Sequence, residues 1–348
     1  MRYVPMSLVE DGMVLGQDIY DGGGRMLLAR HLILNPTYIR NLDEMGFPGI
    51  YIDDEFSEDI EIKEIIRPEV KREALGMIST LFMEGGENKV SESAMNRMAK
   101  MVVEQVLDNG DAMCNMLDIK KYDDYTYFHS VNVGILATMV GCAMRFSEEQ
   151  LRDLALAAML HDIGKRFIPV EILNKVEELD EEESAVLRTH PKQGADFLRD
   201  KYNFSVFVNQ GVLQHHEWYN GHGYPLGRMK EEIPIFARII SVVDVYDALT
   251  TNRIYHPAIS NNEAVEYLMG SGGRQFDPDI LEVFLHKIAI YPVGAQVKLS
   301  DGSQAVVMKN YPEMVLRPKI KQMGTSRIID LAYDPDARNI TIVEMIMR

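Results

Sequence analysis

SEEQLRDLALAAMLHDIGK, residues 147–165, carries the reading of the fold. Ser147 and Gln150 stand three apart ahead of an apolar run, the capping-box pattern of a helix start. The helix that this opens ends near His161-Asp162, an adjacent imidazole and carboxylate. Just upstream, residues 131–144 are apolar nearly all round, as expected of a helix buried in a bundle. Downstream, Asp180-Glu181-Glu182-Glu183 sets carboxylates at the positive end of another helix. Pro191 suits the first turn of a helix whose boundary residue is His190, and Pro234 suits the same place in the helix carrying Asp244.

Working outward, residues 68–110 read as two helices broken at Gly85-Gly86. The second has Met95, Met98, Met101, Val102 and Val106 at helical spacing, a core or dimer face. Residues 1 to about 60 read as a small α/β unit. There Val14-Leu15 and Ile19-Tyr20 lead into the hairpin signal Asp21-Gly22-Gly23-Gly24, and Met26-Leu27-Leu28 returns. Asn35-Pro36 starts a helix that runs to Met45 and stops at Gly46, and Gly49-Ile50-Tyr51-Ile52 is a strand. The acidic run 53–61 reads as a solvated linker. From residue 289 the pattern turns to short strands: Gln296-Val297-Lys298-Leu299, Gln304-Ala305-Val306-Val307-Met308, Val315-Leu316-Arg317 and Ile340-Thr341-Ile342-Val343. Asp301-Gly302, Tyr311-Pro312 and Asp334-Pro335 mark the turns. The fold class is mainly α. A small α/β N-terminal domain (1–60), a helical linker (61–114), a helical bundle (115–288) and a β-rich C-terminal appendage (289–348) are expected.

Composition narrows the function. The chain has 348 residues, more than one typical domain, and is 46% apolar, ample for a core. A net charge of −17 repels nucleic acid polymers at long range, while a metal cluster and a few local cations can still reverse the field in one pocket. Cys114 and Cys142 make no disulfide framework and no CxxC pair, which points to a reducing, cytoplasmic setting. No uninterrupted apolar run of about 18 residues suggests a membrane span, and the N-terminus lacks the basic-then-apolar pattern of a signal peptide.

Chemistry gathers in one constellation. His161-Asp162 and the contiguous His215-His216 join His129, His190 and Asp244, spread over several helices of the bundle. A bundle can converge such residues on one interior point. The donors are nitrogen and oxygen with no sulfur, which suits iron, manganese or zinc and argues against copper(I), calcium or an iron–sulfur cluster. Each element alone is weak evidence; their order together is not.

Three segments carry a resemblance. His161-Asp162-Ile163-Gly164-Lys165, then His215-His216-Glu217-Trp218-Tyr219-Asn220-Gly221-His222-Gly223-Tyr224-Pro225, then Val243-Asp244-Val245-Tyr246-Asp247-Ala248-Leu249 resemble the HD-GYP subfamily of HD-domain phosphohydrolases, and Thr250-Thr251-Asn252-Arg253-Ile254-Tyr255 continues the match. The resemblance implies an HD-type helical bundle as the catalytic domain. It implies a phosphodiesterase that hydrolyses the bacterial second messenger cyclic di-GMP to pGpG, GMP or both through a metal-bridging hydroxide. Another cyclic dinucleotide such as cyclic GMP-AMP, and a catalytically silent cyclic di-GMP receptor, stay open as alternatives, as do a homodimer and signalling partner proteins.

By the same resemblance, one metal takes His129, His161, Asp162 and Asp244. A second takes His190, His215 and His216, with Asp162 bridging and serving catalysis. Lys165 and Arg253 hold phosphate oxygens, and Gly223 and Tyr224 shape the substrate pocket. Glu217 is expected as an acceptor for an imidazole N–H or as a surface carboxylate. Some members place a glutamate four residues before the first histidine, where it serves a third metal. Tyr125 stands there, with Asp123 and Asp124 out of phase, so two metals are expected, iron or manganese ahead of zinc. The position before Gly221 is often aspartate and here is Asn220, one charge fewer.

Overall fold

Side chains at the segment ends decide where the elements begin. In the computed structural model, which describes the chain outside residues 21–25, 64, 84–89, 110–112, 115–124, 176, 252–258 and 347–348, they also explain the partition of the chain. Two compact units form, one from Met1–Glu64, Ala112–Asp124 and His286–Arg348, the other from Ile65–Asp111 and Tyr125–Leu285.

In the first unit, β1 (Arg2–Pro5) and β2 (Val14–Leu15) flank β5 (Gly49–Asp53) in one antiparallel sheet, and β3 (Ile19–Tyr20) pairs with β4 (Met26–Leu28). The hairpin signal at 21–24 lies outside the described residues. Asn35 caps α1 (Pro36–Glu44) by accepting from the Thr37 and Tyr38 amides, and Gly46 (φ +74°) follows the helix end. The C-terminal sheet runs β10-β6-β7-β8-β9, with β6 (Gln296–Leu299), β7 (Gln304–Lys309), β8 (Lys319–Gln322), β9 (Ile328–Asp330) and β10 (Ile342–Met345). The Tyr3 amide donates to the Gly294 carbonyl at 2.8 Å, and the Gln296 side chain donates to the Tyr3 carbonyl at 3.1 Å. Tyr3, Tyr51, Ile62 and Ala295 are buried together. The two terminal segments, read from the sequence as separate pieces, therefore share one core.

Two local expectations give way here. The run 53–61 is not a solvated linker. Asp54 accepts from Arg2 at 2.7 Å and caps the turn at Ser57; Ser57 and Ile60 are buried; and the Lys321 ammonium donates to the Phe56 carbonyl and Asp59. Its three aspartates, Asp53, Asp54 and Asp59, have cationic partners far away in sequence. Val315-Leu316-Arg317 is not a strand either. It follows the 3-10 turn Pro312–Met314, and the Arg317 guanidinium donates to the Leu331 and Ala337 carbonyls. Pro318, which offers no N–H to a ladder, ends the segment, and β8 and β9 follow.

The second unit is helical: α2 (Pro68–Met83), α3 (Glu92–Asp108), α4 (Tyr125–Ala143), α5 (Glu148–Leu160), α6 (Val170–Leu173), α7 (Glu181–Leu187), α8 (His190–Lys201), α9 (Val206–Gln214), α10 (Ile235–Thr250), α11 (Asn261–Gly270) and α12 (Pro278–Leu285). The capping box read at Ser147 is made, and the helix start read at Asp180 proves to be a second one. Ser147 and Gln150 exchange two hydrogen bonds at the start of α5, and Asp180 and Glu183 do so at the start of α7. The break at Gly85-Gly86 falls outside the described residues. Met95, Met98, Val102 and Val106 of α3 are buried, so that stripe is core. α4 is buried on every side from Phe128 to Gly141, as its apolar sequence requires. It packs on α5 and α10, and α5 packs also on α3 and α9. Filling this centre with large apolar side chains contributes about 1.5–3 kcal/mol for each one buried. Among the described residues, no helix is long and apolar enough to cross a membrane.

Candidate metal centre

Five helices bring the constellation together. His129 lies inside α4 and Asp244 inside α10; His161 caps the end of α5 and Asp162 follows it; His190 opens α8; His215 caps the end of α9 and His216 follows. His216 is half-buried and the other six are buried. Their donor atoms form two groups, His129, His161 and Asp244 in one, and Asp162, His190, His215 and His216 in the other, with every donor atom in a group within 4.8 Å of the rest.

Asp162 faces both groups. Its Oδ1 lies 3.2 Å from His190 Nε2 and 4.0 Å from His215 Nε2, while its Oδ2 lies 3.3 Å from His161 Nε2 and 3.8 Å from His129 Nε2. Asp244 Oδ1 lies 3.0 Å from His129 Nε2 and 3.8 Å from His161 Nε2. Lys165 adds a cation 2.5 Å from Asp162 Oδ2. It gets there on a 3-10 turn, Ile163–Phe167, and not on a continuing α-helix as its spacing suggests. That turn eclipses residues three apart, so Lys165 still meets Asp162. The turn packs tightly: a Cβ on Gly164 would collide with the His190 carbonyl of α8.

Ring orientation is fixed from behind. The Nδ1 atoms of His161, His190 and His215 each lie 2.7 Å from a backbone carbonyl, those of Ala158, Leu187 and Val212. A carbonyl only accepts, so each Nδ1 carries the proton. The Nε2 atoms then turn inward, buried and, among the described residues, without a hydrogen-bond partner. For a neutral ring, that sets an Nε2 lone pair against carboxylate lone pairs. Burial drives His215 well below its usual range, reinforced by the neighbouring His216, His161 and His190 rings. Burial likewise pushes His216 down to about 3 against the pull of Asp244. Bare imidazole lone pairs facing a shared carboxylate are costly when unpaired, at about 1–3 kcal/mol each. They fit a cation between them, and neutral imidazole with carboxylate is the donor set of divalent metals such as iron, manganese or zinc.

The carboxylates stay ionised for the same purpose. Burial would raise Asp162, but the Lys165 ammonium and then His161 outweigh it and hold its carboxyl well below the usual range. Asp244 is lowered too, with the His129 hydrogen bond outweighing the burial that would raise it. His129 differs from the other rings. Its Nδ1 lies 2.7 Å from Asp247 Oδ2, a fully buried carboxylate whose Oδ1 accepts from Asn132 at 3.1 Å. Burial alone would lower His129, yet its hydrogen bonds to Asp244 and Asp247 hold it up at about 9. Asp247 and Asn132 are site residues that the sequence reading did not assign. The available signal was spacing, since Asp247 lies three residues after Asp244 and Asn132 three after His129.

The loop after the histidine pair forms one wall. The Tyr224 ring stacks on the His216 imidazole at 4.7 Å between centroids and 22° between planes. Gly223 has no room for a side chain, because a Cβ would meet the Trp218 amide and the His216 carbonyl at 2.2 and 2.5 Å. Glu217 neither serves an imidazole nor lies on the surface. It is buried, and its two oxygens accept from the Leu226 and Arg228 amides at 2.6 and 3.1 Å, which ties the loop down. Asn220 accepts from the His222 amide at 3.1 Å, a turn contact that needs no charge. Arg253, Asp123, Asp124 and the Tyr125 side chain lie outside the described residues.

Known proteins share parts of this sequence and its fold. A cyclic di-GMP phosphodiesterase of Pseudomonas aeruginosa is 37% identical over 222 residues, 64% of this chain and 53% of its own. The cyclic di-GMP phosphodiesterase response regulator RpfG of Xanthomonas campestris is 40% identical over 153 residues, 44% of this chain and 39% of its own. A 3'3'-cGAMP-specific phosphodiesterase of Vibrio cholerae is 32% identical over 194 residues, 55% of this chain and 44% of its own. The chain thus spans about half the length of the curated relatives it matches. An HDG"Y"P protein from Bdellovibrio bacteriovorus shares the fold, with a TM-score of 0.55 at 19% identity over 81% of this chain and 97% of that one. Residues 94–280, more than half of the chain, match the HD domain family, which implies divalent metal ions; the chain belongs to the HD domain family.

Proposed function

We propose that this chain is a metal-dependent phosphodiesterase that hydrolyses cyclic di-GMP to pGpG, GMP or both. The observation that carries the reading is the set of buried, unpartnered Nε2 atoms of His161, His190 and His215 converging on Asp162. Two cations are the proposed complement, iron or manganese ahead of zinc, with Asp162 shared between them. When bound, such a pair lowers the pKa of water and draws charge from a phosphodiester.

The protein's own groups have definite tasks. His215 and His216 are neutral at pH 7, so they can ligate without first losing a proton. Lys165 balances the Asp162 charge and is the first proposed phosphate clamp, for catalysis and binding. Arg253 is the second proposed phosphate clamp. Burial and the nearby Asp162 and Asp244 charges push the Tyr224 hydroxyl up, so it stays a phenol, able to donate a hydrogen bond to substrate beside Gly223. Hydrolysis adds one water across a P–O3′ bond and yields the linear dinucleotide.

Relatives named cyclic di-GMP phosphodiesterases, at 37% and 40% identity, favour that substrate. The 32% relative named 3'3'-cGAMP-specific keeps a second cyclic dinucleotide as the competing reading. Metal analysis of the purified chain, followed by chromatography after incubation with cyclic di-GMP, 3'3'-cGAMP and cyclic di-AMP, tests both. Preferential loss of cyclic di-GMP with about two metals per chain is expected. Binding without consumption would make the chain a receptor, and absence of metal with no turnover would end the reading.

A further inference from the structure

An acidic chain that takes a dianionic substrate must place cations beyond the reacting phosphate, and Lys165 is already set against Asp162. Arg188 lies on the turn between α7 and α8, two residues before His190. Its guanidinium carbon stands 5.4 Å from the centroid of the Tyr224 ring, and that ring stacks on His216 at 4.7 Å. The phenol ring thus touches both a candidate ligand, His216, and the exposed Arg188 side chain. Among the described residues, no carboxylate pairs with Arg188. Its charge is also felt at the Tyr224 hydroxyl, where it opposes the larger effect of burial and of Asp162 and Asp244.

A guanidinium lying on an aromatic ring uses its flat face there and keeps its N–H edge free. That edge takes two acceptors side by side. A phosphate offers such a pair, and so does guanine through O6 and N7, whereas adenine presents one acceptor and one donor on the same edge. We propose that Arg188 is a specificity-determining residue that receives a pair of adjacent acceptors on the substrate beyond the scissile phosphodiester. The assignment rests on the phosphodiesterase reading above. It gives the Tyr224 loop a reason to sit next to the turn that ends at His190: together they make a shelf for the distal half of a cyclic dinucleotide.

The test compares the full, manganese-loaded chain with its Arg188→Ala and Arg188→Lys variants. Substrates are cyclic di-GMP, cyclic di-AMP and bis(p-nitrophenyl) phosphate, which has one phosphodiester and no base or second phosphate. In Arg188→Ala, the ratio of kcat/KM for cyclic di-GMP to that for bis(p-nitrophenyl) phosphate is expected to fall about 10- to 100-fold, mainly through KM, the size of one charge-assisted contact. Arg188→Lys should recover little of it, because lysine lacks the fork. A larger loss on cyclic di-GMP than on cyclic di-AMP assigns the acceptors to guanine, and equal losses assign them to the second phosphate; both support the proposal. An unchanged ratio overturns it while leaving the phosphodiesterase reading intact. A wild-type chain that cleaves only bis(p-nitrophenyl) phosphate overturns both.

Discussion

Replacing Asp247 with asparagine should loosen metal binding without unfolding the protein. Asp247 is fully buried and accepts two hydrogen bonds, from His129 Nδ1 at 2.7 Å and Asn132 Nδ2 at 3.1 Å. Asparagine keeps the shape and one acceptor. Its new amide N–H group can be met by Asn132, whose Oδ1 has no partner and can turn to accept. What is lost is the charge behind His129, and changing such an outer partner of a ligating histidine typically costs about 10- to 100-fold in metal affinity, or roughly 1.4–2.7 kcal/mol. Asp247→Ala is the contrasting case. It leaves the His129 and Asn132 donors orphaned inside the protein, at about 1–3 kcal/mol each, so stability falls as well. Chelator competition for manganese, run beside thermal unfolding, separates the two effects. Asp247→Asn with wild-type metal affinity would refute the reasoning, and so would equal unfolding of both variants, which would reduce Asp247 to a packing role.

Three other outcomes follow from the same geometry. Asp162→Ala should lose metal and turnover together, because one carboxylate faces both ligand groups; metal analysis and product chromatography check it, and retained metal with near-normal turnover rules out the shared role. Glu217→Gln should keep its metal but, with one oxygen left to accept, deprive one of the Leu226 and Arg228 amides of its partner, with hydrogen exchange at that amide about 10- to 100-fold faster for a lost charged hydrogen bond of about 1.5–3 kcal/mol. Asp54→Asn should lower Tm at pH 7. Burial acts to raise Asp54, but Ser57 and Arg2 outweigh it, so its pKa lies below 3.8 in the fold. Its contribution is full above 3.8 and is lost as the pH falls through the depressed value, so the Tm gap between variant and wild type should close in acid.

Features that the sequence made legible are those whose partners are near in sequence. The capping box at Ser147, the helix starts at Asp180 and Asn35 and the apolar girdle of α4 are local statements, and each is made as read. The ligand constellation was legible for a different reason. Its residues are distant from one another, but their types and order match a family. What stayed hidden depends on partners brought from afar. Lys321 turns an acidic linker into a packed segment, Arg317 replaces a strand by a turn through carbonyls of Leu331 and Ala337, and Glu217 finds its donors in amides nine and eleven residues away. No periodicity encodes such pairings. Glu217 also shows that adjacency to a ligand does not imply service to it: the histidines on its N-terminal side already have carbonyl or ring neighbours, and the unsatisfied donors belong to the loop ahead.

The placement of three histidines at helix ends has a physical cause that the motif alone does not state. Ala158, Leu187 and Val212 all lie in the last turn of a helix, α5, α7 and α9, where carbonyls have no intrahelical partner. His161, His190 and His215 each stand three residues later and donate Nδ1–H to that carbonyl at 2.7 Å. One contact satisfies an orphaned acceptor, places a donor at the negative end of the helix dipole and fixes the tautomer that leaves Nε2 bare. The same device used three times aims three lone pairs at Asp162 from three directions. His129, in the second turn of α4 and far from its C-terminal end, has no orphaned helix-end carbonyl behind it; there a buried carboxylate, Asp247, takes the place of the helix end. The spacing of the histidines is thus a record of where helices stop, and the one candidate histidine ligand that lies inside a helix is the one backed by a second acidic residue.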